Sequence, residues 1–206
     1  MSGIGIFGGT FDPVHCGHLR SAWEVTQSLA LDTLYFVPNA QTVHRDQPKA
    51  SFEHRSAMLQ MAIAGTAQWQ VSLCEGERSG ASYSYHTVRY FRQLVGEGVP
   101  IWFILGSDAY RHFHTWHRWQ DILQLCHLAV MRRAGAVVVG GCEETQALLS
   151  CEATRQPVGQ VVSIEVTALD VASSHIRAEL YAQRQPRFLL PDQVLTYLNT
   201  NGLYVD

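Results

Sequence analysis

The chain predicts an α/β fold, a doubly wound and mostly parallel sheet with helices on both faces. Three observations carry that prediction. Short apolar runs rich in β-formers recur near 4–7, 33–37, 70–74, 100–105, 127–131 and 161–166. Segments of helical spacing alternate with them, near 18–30, 52–64, 84–95, 118–125, 143–149, 174–182 and 191–199. A glycine pair, Gly8-Gly9, directly follows the first apolar run. At 206 residues and 47% hydrophobic content the chain can bury a full core, so 1–206 is expected to form a single domain.

The elements justify themselves in order. Ile4-Gly5-Ile6-Phe7 is short and apolar and reads as a buried parallel strand running into Gly8-Gly9. The glycines let the backbone turn sharply and approach a ligand closely. Thr10, Phe11, Asp12, Pro13, Val14, His15, Cys16, Gly17 and His18 lead into a helix whose apolar positions are Leu19, Ala22, Trp23, Leu29 and Ala30. His18 therefore falls in the first helical turn, where unpaired N–H groups and the helix dipole favour an anion, and His15 stands three residues before it. The pattern is that of a turn built to hold phosphates. Two histidines at this spacing, with Cys16 between them, also make half of a zinc-type ligand set, but no Cys-x-x-Cys or second tight ligand pair completes it.

The loop 38–50 carries His44, Arg45 and Lys49 and joins a strand to the helix that begins near Phe52. Strand-end loops of this length are often functional, although a solvated charge run has the same composition. Ser82-Tyr83-Ser84 opens the helix that runs to Val95. Phe103-Ile104-Leu105 is continuously apolar, as in a strand buried on both faces, and Gly106-Ser107-Asp108 follows its carboxyl end, where open α/β sheets place ligands. A carboxylate at Asp108 can accept hydrogen bonds from ribose hydroxyls. The stretch 111–119 is the most aromatic and histidine-rich of the chain. It lacks accompanying acidic or cysteine ligands, so it reads as a partly exposed loop and short helix rather than a metal cluster.

Arg132-Arg133 follows the strand 127–131, and Arg133 is a candidate for a substrate phosphate. The segment 134–160, with Gly135, Gly140, Gly141 and Pro157, reads as an irregular excursion. Ser173 and Ser174 precede Ile176, Leu180 and Tyr181 at helical spacing, which places them to cap a helix. Arg177 lies three positions after Ser174 on the same face, so its guanidinium could fork onto phosphate oxygens.

Composition narrows the class. The five cysteines, at 16, 74, 126, 142 and 151, are odd in number and scattered, as expected of reduced thiols in a cytoplasmic protein. Neither a signal-peptide pattern nor a run of about 18 apolar residues is present, which argues against secretion and membrane insertion. A net charge of −3 argues against a non-specific binder of nucleic acid polymers.

The string Gly9-Thr10-Phe11-Asp12-Pro13-Val14-His15-Cys16-Gly17-His18 resembles the signature of the nucleotidyltransferase superfamily that carries an HxGH motif, which has a Rossmann-like sheet. Three further segments are similar to those of its bacterial nicotinate-nucleotide adenylyltransferases. Ser82-Tyr83-Ser84 resembles their Ser-Tyr-Thr nicotinate-binding turn. Gly106-Ser107-Asp108 with Thr115-Trp116 resembles their glycine-x-aspartate turn and Thr-Trp pair. Ala172-Ser173-Ser174-His175-Ile176-Arg177 resembles a C-terminal Ile-Ser-x-Thr-x-Ile-Arg motif, from which Ala172 and His175 depart. Two other departures are Thr42-Val43, where the family has prolines before His44 and Arg45, and His117, where it often has tyrosine.

The resemblance implies transfer of AMP from ATP to nicotinate mononucleotide, giving deamido-NAD and pyrophosphate, with Mg²⁺ brought by ATP. It implies His18, His15 and Arg177 as catalytic residues. For ATP it implies Gly8, Gly9, Thr10, Phe11, His15, His18, Arg45, Gly106, Asp108, Ser173, Ser174, Ile176 and Arg177. For the acceptor it implies Ser82, Tyr83, Ser84, Trp116, His44 and Arg133, with Trp116 as a stacking surface for the pyridine ring. Nicotinamide mononucleotide and phosphopantetheine are the alternative acceptors within the superfamily, and a non-catalytic nucleotide-binding protein is the alternative class. The Ser82–Ser84 and Thr115-Trp116 segments speak against phosphopantetheine, and retention of His15, His18 and Arg177 together speaks against a silent protein.

Overall fold

The computed structural model describes residues 3–41, 47–150 and 158–205. Its strands are β1 (Ile4–Gly9), β2 (Thr33–Pro38), β3 (Trp69–Val71), β4 (Ile101–Gly106), β5 (His127–Arg133), β6 (Leu149–Ser150) and β7 (Val161–Val166). They form one seven-stranded sheet in the order β3-β2-β1-β4-β5-β7-β6, and every neighbouring pair is parallel. The helices are α1 (Cys16–Ser28), α2 (Phe52–Ile63), α3 (Ser84–Val95), α4 (Ser107–Arg111), α5 (Trp119–Leu123), α6 (Glu143–Ala147), α7 (Ser173–Tyr181) and α8 (Asp192–Thr200).

Consecutive strand residues point to opposite faces, so each strand feeds two cores. Phe7, Phe36, Ile104 and Ala129 join α1, α2, α7 and α8 residues such as Val25, Leu59, Ile176 and Val194 on one face. Ile6, Phe103, Leu105 and Val130 join Val88, Phe91, Tyr110 and Ile122 on the other. The doubly wound prediction therefore holds, and the sheet is wholly rather than mostly parallel.

Three local expectations change. The third strand is only Trp69–Val71 because Ser72 makes the last ladder bond, to Phe36, before the chain turns. Helix α5 starts at Trp119, since Arg118 sits at φ 56°, outside the helical region. Within the excursion 134–160, Leu149–Ser150 adds a short edge strand beside β7 that the sequence reading did not contain. No described helix is long and apolar enough to cross a membrane.

Candidate active site

The strand order reverses at β1. β2 and β3 lie on one side of it and β4 on the other, and such a switch point opens a crevice at the carboxyl ends. Here the opening is visible in the ladder. β1 pairs with β2 through Gly9↔Pro38, but its pairing with β4 stops at Phe7↔Ile104, short of the ends of both strands at Gly9 and Gly106. A side chain at Gly106 would meet nothing within 4 Å, so the floor of the crevice is open there. Gly106 caps α4, and Asp108 stands exposed in the first turn of that helix.

The turn after β1 is tightly built. Phe11 adopts φ 51°, and its buried ring folds back between Phe7, at 5.7 Å, and His18, at 5.1 Å. A Cβ on Gly9 would stand 2.9 Å from that ring, which is why glycine is needed there. His15 and His18 then cap α1 reciprocally. The His18 N–H donates to His15 Nδ1 at 3.4 Å, and the His15 N–H donates to His18 Nδ1 at 3.3 Å. Their rings stack with centroids 3.7 Å apart, and a Cβ on Gly17 would press on His15 at 3.0 Å.

This geometry sets the chemistry of the pair. Each Nδ1 is engaged as an acceptor, so each neutral ring carries its proton on Nε2 and has that N–H to offer. Burial pushes the His15 imidazole down to about 4. Burial, and then the neighbouring His15, hold His18 well below the usual histidine range. Both rings are neutral at pH 7 in the free protein, which also lets them stack without repulsion. Two uncharged donors beside a helix N-terminus suit a polyanion.

Helix α7 docks onto the same turn. Its N-cap is Ala172, and the expected serine cap is absent: Ser173 is the first helical residue, and its hydroxyl donates instead to the Pro13 carbonyl at 2.9 Å. Arg177 Nη1 donates to the Asp12 carbonyl at 2.6 Å and lies 3.6 Å from Asp12 Oδ2. Ile176 is fully buried, so its side chain seats the helix on the core, whereas Ser174 is exposed. The structure thus brings Gly8, Gly9, Thr10, Phe11, His15, His18, Ser173 and Arg177 to one turn.

The opposite wall comes from the start of α3 and the segment after α4. The Ser82 hydroxyl accepts N–H bonds from Ala40, at 3.1 Å, and Gln41, at 3.0 Å, which ties the loop after β2 to the α3 entry. Tyr83 is the N-cap and brings no side-chain cap, so the first N–H groups of α3 depend on other acceptors. Trp116 is half-buried, with its edge on Phe103 at 6.0 Å and Phe113 at 5.4 Å. Tyr83 and His117 lie ring to ring at 4.5 Å, and the Arg118 guanidinium covers Tyr85 at 4.0 Å.

Of the remaining sequence candidates, His44 and Arg45 lie outside the described residues. Arg133 ends β5 on the α1 side, exposed and 3.8 Å from Asp170, in a cleft with Arg20 and Trp23 rather than on the Gly8–His18 turn. Sequence reasoning missed Arg55. It is 1% exposed and donates to the carbonyls of Ala50, Thr10 and Asn39 at 3.1, 2.8 and 2.8 Å. One signal was available: Met58 and Leu59 put Arg55 on the apolar face of α2. Asp12 was likewise read only as a letter of the motif, yet its carboxylate takes backbone N–H bonds from Lys49 and Ala50.

Fold and turn together define an open parallel α/β protein with a glycine turn and a paired-histidine helix cap at the sheet's switch point. Residues 6–179 match the model of the cytidylyltransferase-like family. A protein of Acidithiobacillus ferrooxidans, named a probable nicotinate-nucleotide adenylyltransferase, is 41% identical over 97% of this chain and 94% of its own length. One of the same name from Pseudomonas aeruginosa is 39% identical over 98% of this chain and 96% of its own. The chain belongs to the cytidylyltransferase-like family and, within it, to the nicotinate-nucleotide adenylyltransferases. Plasmodium falciparum nicotinic acid mononucleotide adenylyltransferase, solved with APC and with NaAD, shares the fold at a TM-score of 0.75, with 16% and 17% identity over 99% of this chain and 98% of its own.

Proposed function

We propose that this chain transfers AMP from Mg-ATP to nicotinate mononucleotide, releasing pyrophosphate and deamido-NAD. The observation that carries the reading is the reciprocal His15–His18 cap at the end of β1, which supplies two neutral Nε2–H donors beside a helix N-terminus. The relatives' shared name, across nearly the whole chain, supports the acceptor.

The chemistry needs no protein nucleophile. A phosphate monoester has a second pKa near 6, so the acceptor oxygen is already largely anionic at neutral pH. It attacks the α-phosphorus of ATP, the bond from that phosphorus to the bridging oxygen of the β-phosphate breaks, and pyrophosphate leaves with the electron pair. The protein's task is to align two anions that repel each other and to donate to the charge that grows on the α-phosphate and leaving group. His18 is assigned the α-phosphate, His15 and Arg177 the outer phosphates, and Ser173 and the Gly9–Thr10 backbone the turn that receives them. Asp108 is assigned the ribose, and Trp116 with Tyr83 and the α3 N–H groups from Ser84 onward the pyridine and its carboxylate, a charge that donors at a helix N-terminus favour over a neutral amide.

Magnesium enters as part of the nucleotide substrate. The ion is held mainly by phosphates and water, as is usual for magnesium carried by a nucleotide. The same reading places the enzyme in the cytoplasm, in keeping with free thiols at Cys16, Cys74, Cys126 and Cys142.

The test is pyrophosphate release from Mg-ATP with nicotinate mononucleotide and, in parallel, nicotinamide mononucleotide. Preference for the acid is expected, and His18→Ala should lose ~100-fold or more in turnover. Equal or reversed preference would replace the acceptor, and a His18→Ala variant as fast as wild type would remove the donor role.

A further inference from the structure

Asp12 has both carboxylate oxygens occupied although it is 5% exposed. Oδ1 accepts the Ala50 N–H at 3.0 Å and the Tyr204 hydroxyl at 2.6 Å, and Oδ2 accepts the Lys49 N–H at 2.8 Å. Arg177 reaches the same residue twice, by Nη1 to the carbonyl at 2.6 Å and to Oδ2 at 3.6 Å. The chain of contact therefore runs from Tyr204, beyond α8, through Asp12 to the arginine of α7.

Tyr204 is held firmly enough to matter. It is 6% exposed and adopts φ 59°, a conformation that a tyrosine keeps only where its surroundings over-determine it. Burial, the hydrogen bond to Asp12 and the charge of Asp12 hold its hydroxyl far above the usual tyrosine range, so it remains a proton donor. The turn's backbone also has a second brace. Arg55 holds the Thr10, Asn39 and Ala50 carbonyls independently of Tyr204. Removing the Tyr204 hydroxyl thus takes one donor from Asp12 and leaves the frame of the turn standing.

We propose that Tyr204 is a positioning residue for the nucleotide: through Asp12 it fixes the Arg177 guanidinium at the phosphate turn without itself touching substrate. The proposal rests on the reading of that turn as the ATP site.

The experiment is a double-mutant cycle of Tyr204→Phe and Arg177→Ala. Mg-ATP affinity is read by calorimetry, KM is measured for each substrate, and the thermal midpoint is followed. Tyr204→Phe should weaken Mg-ATP roughly 5- to 10-fold, the scale of one buried hydrogen bond, with acceptor KM within about two-fold of wild type. In the Arg177→Ala background it should add nothing. A purely structural role would instead lower the thermal midpoint and move both substrates together. Additive effects in the cycle, or a Tyr204→Phe variant that binds Mg-ATP like wild type, would overturn the proposal while leaving the ATP reading intact. Failure of wild type to bind Mg-ATP would overturn both. If Tyr204→Phe does not fold, Asp12→Asn in the same cycle carries the test, with the same selective loss of Mg-ATP expected and additivity again overturning it.

Discussion

Between Gly8 and His18 the polar groups are bonded to one another or to neighbouring segments: His15 to His18, Asp12 to Lys49, Ala50 and Tyr204, and Thr10 to Arg55. Across the crevice, Tyr83, Trp116 and His117 are held by ring contacts at 4.5 to 6.0 Å, and His117 is exposed. The difference suits the roles proposed for the two sides. A turn that lowers the barrier to phosphoryl transfer has to stand in place before the charge moves, and buried hydrogen bonds with fixed directions supply that. A wall that accepts a flat ring needs area and adaptable distance, which aromatic contacts supply.

Three substitutions would break or sharpen this contrast. Arg55→Met should have the largest effect, because it leaves the Ala50, Thr10 and Asn39 carbonyls without their donor. A loss of about 3 kcal/mol or more is expected by denaturant unfolding. A loss below about 1 kcal/mol would mean that the turn does not depend on its buried bonds.

The next effect depends on pH. The His15 imidazole stays neutral in the fold down to about 4, against a usual 6.5, so the unfolded chain binds the extra proton in between. Stability is therefore fully present above 6.5 and falls as pH drops toward 4, by up to about 3 kcal/mol from this residue. Unfolding free energies of wild type and His15→Gln, compared at pH 8 and 5, should differ in slope, with the variant flatter. Parallel slopes would show that His15 titrates in the fold as it does in the unfolded chain.

Trp116→Ala should be the mildest. A rise of ~5–10-fold in acceptor KM, about 1 kcal/mol of lost stacking, is expected with ATP KM unchanged. A larger fall in kcat than in acceptor affinity would show that this wall, too, is rigidly preorganised.

Much of this could be read from residue order. The glycine pair behind Ile4–Phe7 and the histidines three apart located the turn proposed to hold phosphates, because a strand, a tight turn and a helix N-terminus are local features. The helical periodicities likewise located α1, α2, α3 and α7 to within a few residues. Local rules failed where a distant partner decided the outcome. Serine ordinarily caps a helix, yet Ser173 spends its hydroxyl on Pro13, 160 positions away in sequence. Arginine after a strand or on a helix is ordinarily solvated, yet Arg55 is enclosed while Arg133 stays exposed.

The sequence by itself determined the alternation of strands and helices, the tight turn after β1 and the histidine-capped helix that follows it, since backbone preferences and apolar periodicity act over a few residues. Only the tertiary structure decided the order of strands around β1, the early end of its pairing with β4 that opens the crevice, and the joining of Asp12 to Tyr204 and Arg177. Those depend on which buried polar groups meet across long separations, where the cost of leaving a buried donor or acceptor unpaired selects the partner and no local pattern records it.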